Sequence, residues 1–236
     1  KVNEVLDLIE SQKNINSLLK FANICYEGKL IERDINRAIR FLEIAEKQNC
    51  LSATIQLGIF YLEGKHVKQD FTKSFRYFTF ASNRNNPYGQ FYLGLMYFEG
   101  FGVKQNYYKS FQYFLKSAKQ KNGYALTYIA LFALEGKYLP KDVNRAMRFL
   151  NLSYREFTFP ISLYIYGSLL LDGKYTIRDI RNGLNALYNI RNDVCEQTFL
   201  KLGIIFFEGK LFNRCVNSSI HNFGQFLTKP LISNHI

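Results

Sequence analysis

Glycine recurs along this 236-residue chain with the regularity of a ruler: Gly28, Gly64, Gly100, Gly136, Gly173 and Gly209 are separated by 36, 36, 36, 37 and 36 residues. Other positions keep the same register. Six residues before each glycine stands a small one (Ala22, Gly58, Gly94, Ala130, Gly167, Gly203). Six residues after it stands an acid or amide (Asp34, Asp70, Asn106, Asp142, Asp179), until Cys215 breaks the series. Ten residues after it the position is again small: Ala38, Ser74, Ser110, Ala146, Gly183 and Ser219. An aromatic follows three places later at Phe41, Tyr77, Tyr113 and Phe149, and lapses at Ala186 and Asn222. A fixed period of this length is the mark of stacked supersecondary units, each too small to bury its own apolar face.

Each unit reads as two helices. In the second, helix A spans about Ser52 to Glu63 and ends at Gly64, the residue that enters the left-handed conformation without steric cost. Helix B starts at Asp70, whose carboxylate can accept from the free N–H groups of the first turn. The loop residues Ile31, Val67, Val103 and Leu139 are apolar and fit beneath the turn. Small residues at Gly58 and Ser74 let the two axes approach closely, with Tyr61 and Tyr77 filling the space beside them. The expected fold is an all-α, right-handed superhelical solenoid with repeats at 14–49, 50–85, 86–121, 122–158, 159–194 and 195–230, the last two degenerate. Residues 13–236 then form one solenoid domain. Residues 1–12, with Val2, Val5, Leu6 and Ile9 in register, read as helix B of a preceding, truncated repeat, or else as a capping helix.

The second and third copies carry a family resemblance. The series Leu57-Gly58, Tyr61, Gly64, Val67, Asp70, Lys73-Ser74, Tyr77-Phe78 and Ala81-Ser82 resembles the Sel-1-like repeat, a relative of the tetratricopeptide repeat. The fullest match is Leu93-Gly94, Tyr97, Gly100-Phe101-Gly102-Val103, Lys109-Ser110, Tyr113-Phe114 and Ser117-Ala118. The resemblance covers nearly the whole chain. Copies five and six depart from the pattern, with Gly183 and Ser219 in place of the usual helix-B alanine and Cys215 in place of the cap. Proteins of this family are mostly adaptors that hold complexes together, some of them in the endoplasmic-reticulum lumen. The resemblance therefore implies a non-enzymatic scaffold for other proteins, in the cytoplasm or an organelle lumen.

By the same resemblance, helix A lines the concave side of the superhelix. Positions three before, one after and four after the small residue would then face the groove: Ile55, Ile59 and Leu62; Phe91, Leu95 and Phe98; Thr127, Leu131 and Leu134; Tyr164, Ser168 and Leu171; Leu200, Ile204 and Phe207. An apolar groove of this extent suits a helix or extended segment of another protein. The competing reading is that neighbouring helices bury these side chains.

Charge supplies a second candidate surface. The balance is +12, with Lys following the joint glycine at Lys29, Lys65, Lys137, Lys174 and Lys210, and a second row at Arg37, Lys73, Lys109 and Arg145. Basic rows attract acidic protein segments, nucleic acid or anionic lipid. Acids immediately before each joint glycine, from Glu27 to Glu208, partly neutralise the first row. A solvated surface is the plainer reading of both rows, and an RNA-associated component is the alternative to a protein scaffold.

Catalytic and cofactor chemistry finds no support in the sequence. His66, His221 and His235 are scattered, and Cys25, Cys50, Cys195 and Cys215 lack metal-ligand spacing and read as free thiols. Gly100-Phe101-Gly102 follows a helix rather than a strand, unlike a phosphate-binding loop. Some cysteine-rich relatives have been linked to β-lactam hydrolysis, but their paired-cysteine pattern is missing here. Asn151-Leu-Ser153 and Asn217-Ser-Ser219 fit the glycosylation acceptor pattern. No apolar run reaches the ~18–20 residues of a membrane span.

Overall fold

The computed structural model describes residues 2–28, 30–157, 160–172, 179, 181–183 and 185–186. Its elements are α1 (Val2–Gln12), α2 (Ile15–Glu27), α3 (Ile35–Lys47), α4 (Leu51–Glu63), α5 (Phe71–Asn83), α6 (Pro87–Glu99), α7 (Tyr107–Lys119), α8 (Gly123–Glu135), α9 (Val143–Phe157) and α10 (Pro160–Asp172). Among the described residues there is no strand. The chain divides into two compact units, residues 1–125 and 126–236, with the division falling inside α8.

In the first unit, α2, α4 and α6 are A helices and α3, α5 and α7 their B partners. Each joint between them is built alike. Gly28, Gly64 and Gly100 sit at φ of +68°, +68° and +82° and close their A helices. Seven-residue connections of this kind reverse the chain because both ends are tied. The Asp70 N–H donates to Tyr61 O at 2.9 Å, while the Asp70 carboxylate accepts from the Lys73 N–H at 2.9 Å. Asp34 and Asn106 repeat both bonds, to Cys25 O and Tyr97 O on one side and from the Arg37 and Lys109 N–H groups on the other. Val67 and Ile31 pack against the core from below the turn.

Three further features of the connections went beyond the sequence reading. The residue before the cap reaches back to helix A: Gln69 and Gln105 donate through Nε2 to Leu62 O and Phe98 O, and Arg33 donates through Nε to Tyr26 O. The B helices end with Asn49, Asn85 and Lys121 in the left-handed region, and the residue that follows each back-bonds across the last turn, as from Asn86 N–H to Ala81 O. α1 ends the same way at Lys13, φ +52°, with Leu6 buried against α2 and α3. Side-chain positions of Val2, Val5 and Ile9 lie outside the description.

Close approach within a pair follows from the small residues. A Cβ on Gly58 would lie 2.6 Å from Phe78, and one on Gly94 would lie 2.7 Å from Phe114. Ser74 Oγ donates to Gly58 O at 2.8 Å and Ser110 Oγ to Gly94 O at 2.7 Å, both buried. Beside these contacts Tyr61 stacks on Tyr77 and Tyr97 on Tyr113, with ring centroids 5.9 and 5.8 Å apart. Cys25 and Cys50 are free thiols.

The second unit keeps the same chemistry where it is described. Gly136 takes φ +72°, and Asp142 bonds Ala133 O and caps α9 through the Arg145 N–H. Asp179 likewise donates to Leu170 O and accepts from the Asn182 N–H. These bonds from Asn182 hold the Asp179 carboxyl below its usual range. Thr127, Ser162 and Ser153 join in a buried hydroxyl chain between α8, α9 and α10. The sequon Asn151-Leu-Ser153 therefore lies inside a helix with its serine buried, which removes it as an accessible acceptor in the folded chain. Gly167 is buried in α10. Gly173, Gly203, Gly209, Asn217 and the proposed repeat 195–230 lie outside the described residues.

Candidate protein-docking surface

α4 packs on both α3 and α5, and α6 on both α5 and α7. A helix covered on two flanks buries apolar side chains in two directions and keeps one narrow open stripe. That is why positions three before and four after the small residue are not free: Ile55 and Leu62 are buried in α4, and Phe91 and Phe98 are 2% and 3% exposed in α6. Phe91 touches the rings of Tyr92, Phe114 and Tyr124, and Phe98 meets Tyr107. These four belong to the helix–helix core rather than to an open groove lining, as does Leu95 at 1%. Thr127 is also buried, whereas Ile59, Leu131, Leu134 and Tyr164 are half-buried. Side chains of Ser168 and Leu171 are not described, and Leu200, Ile204 and Phe207 lie outside the described residues.

The stripe that remains runs through positions six and two before the small residue and one and five after it, a helical 4-3-4 spacing. In α2 it consists of Asn16, Lys20, Asn23 and Glu27, all exposed. In α4 it consists of Ser52, which is exposed, with Gln56, Ile59 and Glu63 half-buried. In α6 the line stays open only at its ends, with Tyr88 48% exposed and Glu99 half-buried, because Tyr92 is buried by stacking on Phe78 at 4.5 Å and Leu95, the next position in register, is buried as well. Burial pushes the Tyr92 hydroxyl far above its ordinary pKa, with Tyr124, Glu63 and Tyr88 near enough to add to the effect. Tyr124, at the start of α8, is pushed up to about 12 for the same reason. The stripe thus passes from polar to aromatic along the first unit.

The basic rows divide. Lys65 pairs with Glu63 at 3.5 Å, and Lys137 with Glu135 at 3.0 Å, so these two lysines after a joint glycine are answered by the acid before it; Lys29, Lys174 and Lys210 lie outside the described residues. Burial raises the Glu135 carboxyl, and Lys137 opposes that shift. Arg37 pairs with Asp7 at 3.2 Å. Lys73 and Lys109 instead lie over the rings of Tyr61 and Tyr97, at 4.8 and 5.2 Å from their centroids.

Among the described residues no group of His, Cys, Asp or Glu could hold a metal ion. His66 packs edge-on against Tyr26 and Phe60, and burial lowers its pKa. Among the described residues no helix is long and apolar enough to cross a membrane.

Comparison with known proteins agrees with this architecture. The Sel1 repeat family matches residues 19–50, 51–86, 87–122, 123–156 and 160–185. A Sel1 repeat protein from Oxalobacter formigenes superimposes with a TM-score of 0.68 at 22% identity, covering 91% of this chain and 87% of its own. The c5321 protein, a protective antigen of uropathogenic Escherichia coli with the same repeat fold, gives 0.64 at 21% identity over 79% of this chain and 40% of its own. A Sel1 repeat protein from Klebsiella pneumoniae gives 0.54 at 13% identity, over 83% and 95%. No curated protein matches the sequence. At these identities the structural likeness speaks to the fold, an all-α repeat solenoid.

Proposed function

The chain belongs to the Sel1 repeat family, and we propose that it is a non-catalytic scaffold that holds another protein against the open stripe of its A helices. One observation carries this reading. Joint glycines, caps and small residues recur at equivalent positions, whereas the stripe differs in every copy: Asn16, Ser52 and Tyr88 share one position, and Lys20, Gln56 and Tyr92 another. A rigid frame with a variable line of side chains presents distinct contacts at fixed spacing, so binding loses little conformational freedom. Ser52, Gln56, Ile59 and Tyr88 are the proposed contacts in the first unit. In the second unit the half-buried Leu131 occupies the position of Ile59 and is the equivalent proposal, while Leu134 and Tyr164, half-buried at the flanking positions, lie off the stripe.

The test is co-purification from the native source, comparing wild type with Ile59→Asp/Tyr88→Asp at low and high salt, with a nuclease control. A protein retained at high salt by wild type and lost from the variant supports the scaffold. Material that is nuclease-sensitive, salt-labile and indifferent to the substitutions contradicts it and points to an RNA-associated role.

A further inference from the structure

Charge is distributed unevenly over the first unit. Between Lys13 and Glu63, seven Lys and Arg face six acids. Between Gly64 and Lys121, ten Lys and Arg face only two acids, Asp70 and Glu99. Asp70 is engaged as the α5 cap. Neither α5 nor α7 contains an acid, and their exposed charges are Lys73, Arg76, Lys109, Lys116 and Lys119. None of these five has a salt bridge among the described residues. Lys73, Lys109 and Lys116 are held over Tyr61, Tyr97 and Tyr113. A ring positions an ammonium without cancelling its charge, so these cations stay available to an outside anion.

We propose that the outer face of α5 and α7 is a second docking surface, and that its occupant is an acidic segment of another protein. Charge complementarity selects an anion. The aromatic and cationic chemistry selects its kind. Single-stranded nucleic acid needs open ring faces for base stacking. Here Tyr61 and Tyr97 are stacked on Tyr77 and Tyr113 and covered by lysine, and Arg84 lies 3.5 Å over Phe80, so among the aromatics of α5 and α7 Tyr108 alone is exposed, one ring where a strand of bases needs a series. Phosphate recognition also favours the planar fork of arginine, whereas four of the five free cations are lysines. Carboxylates spaced along an extended peptide need only point charges at fixed intervals. This surface is separate from the stripe on the A helices, so a scaffold using both would bring an acidic partner next to a second one.

The experiment uses the full chain and a fluorescein-labelled, Glu-rich peptide of about 12 residues, long enough at ~3.3 Å per residue to span a helix of this length. The comparison probes are the same peptide with Gln for Glu, an oligothymidylate of equal charge, and phosphatidylserine vesicles. The acidic peptide binds, the neutral one does not, added salt weakens the complex, and Lys73→Glu/Lys109→Glu lowers affinity by about tenfold or more. Lys73→Gln/Lys109→Gln, which adds no repulsion, gives a smaller loss in the same direction. Arg40→Glu/Lys47→Glu on α3 leaves binding unchanged, and so does the Ile59→Asp/Tyr88→Asp variant. Absence of peptide binding overturns the proposal. So does binding insensitive to α5 and α7, or tighter binding of oligothymidylate or vesicles through the same lysines.

Discussion

The pair α2–α3 and the pairs α4–α5 and α6–α7 follow one backbone plan with two different fillings. In the first pair the three contact positions are Ala22, Ala38 and Leu42; in the next two they are Gly58, Ser74 and Phe78, then Gly94, Ser110 and Phe114. Where helix A gives up its methyl, helix B supplies a phenyl ring and a hydroxyl, and the hydroxyl bonds the carbonyl that the missing methyl leaves open. The fourth copy returns to Ala130, Ala146 and Leu150. Core residues therefore change in sets, because close packing punishes a change made alone. Surface charge divides the three pairs at the same place. The first pair is near neutral and its Arg37 is paired, while the second and third are strongly basic and their lysines rest on rings. The frame is conserved by physics, and the surface is free to specialise.

The sharpest break of this comparison is truncation of the large partner. Phe114→Ala is expected to cost about 3–5 kcal/mol, and more than Leu42→Ala, because a phenyl ring leaves the larger cavity beside a glycine. Urea unfolding of both variants measures it, and equal costs would mean the two fillings are not distinct. The joints differ more subtly. A Cβ on Gly64 would lie 2.6 Å from Gln69 Cβ, whereas on Gly100 it would stand 3.4 Å from Gln105 Cβ. Gly64→Val and Gly100→Val should each cost at least ~1 kcal/mol from left-handed strain, with Gly64 the worse. A Gly64→Val protein as stable as wild type would refute the joint.

Alkaline titration gives the smallest effect. Burial raises Tyr77 and Tyr124 to about 12 from an ordinary value of 10.0. Above pH 10 the unfolded chain loses these protons first, so stability falls as pH rises from 10 to 12 and is unaffected at neutral pH. Tyr77→Phe/Tyr124→Phe should flatten that decline in pH-dependent unfolding. An unchanged slope would place these hydroxyls in water.

The joints were legible in the sequence because glycine and Asp or Asn each have one local reason to recur, and the observed φ values and caps are that reason. Gln69 and Gln105 also recur, and their return to the helix A carbonyls could have been read from the same register. The open stripe was harder. α4 and α6 are apolar almost all round, so periodicity alone does not tell a flank pressed on a neighbour from a face left open. The polar residues Asn16, Lys20, Asn23 and Glu27 in α2 mark the free line, and carrying that register forward to Ser52, Gln56, Ile59 and Glu63 would have moved the candidate site off Ile55, Leu62, Phe91 and Phe98. The exchange of Gly–Ser–Phe for Ala–Ala–Leu was likewise visible, but its cause is a distance between helices, which no single copy displays.

The central claim, that the frame is held by matched small and large residues, is tested most directly by Gly94→Ala measured in two backgrounds. In the wild-type chain the new methyl meets Phe114, and overpacking of about 1–3 kcal/mol outweighs the ~1 kcal/mol gained from replacing a helical glycine. With Phe114→Leu already in place, the pair becomes the one seen at Ala22 and Leu42, and the same substitution should stabilise by about 1 kcal/mol. That change of sign in equilibrium unfolding is the predicted result. An identical effect of Gly94→Ala in both backgrounds would contradict the account.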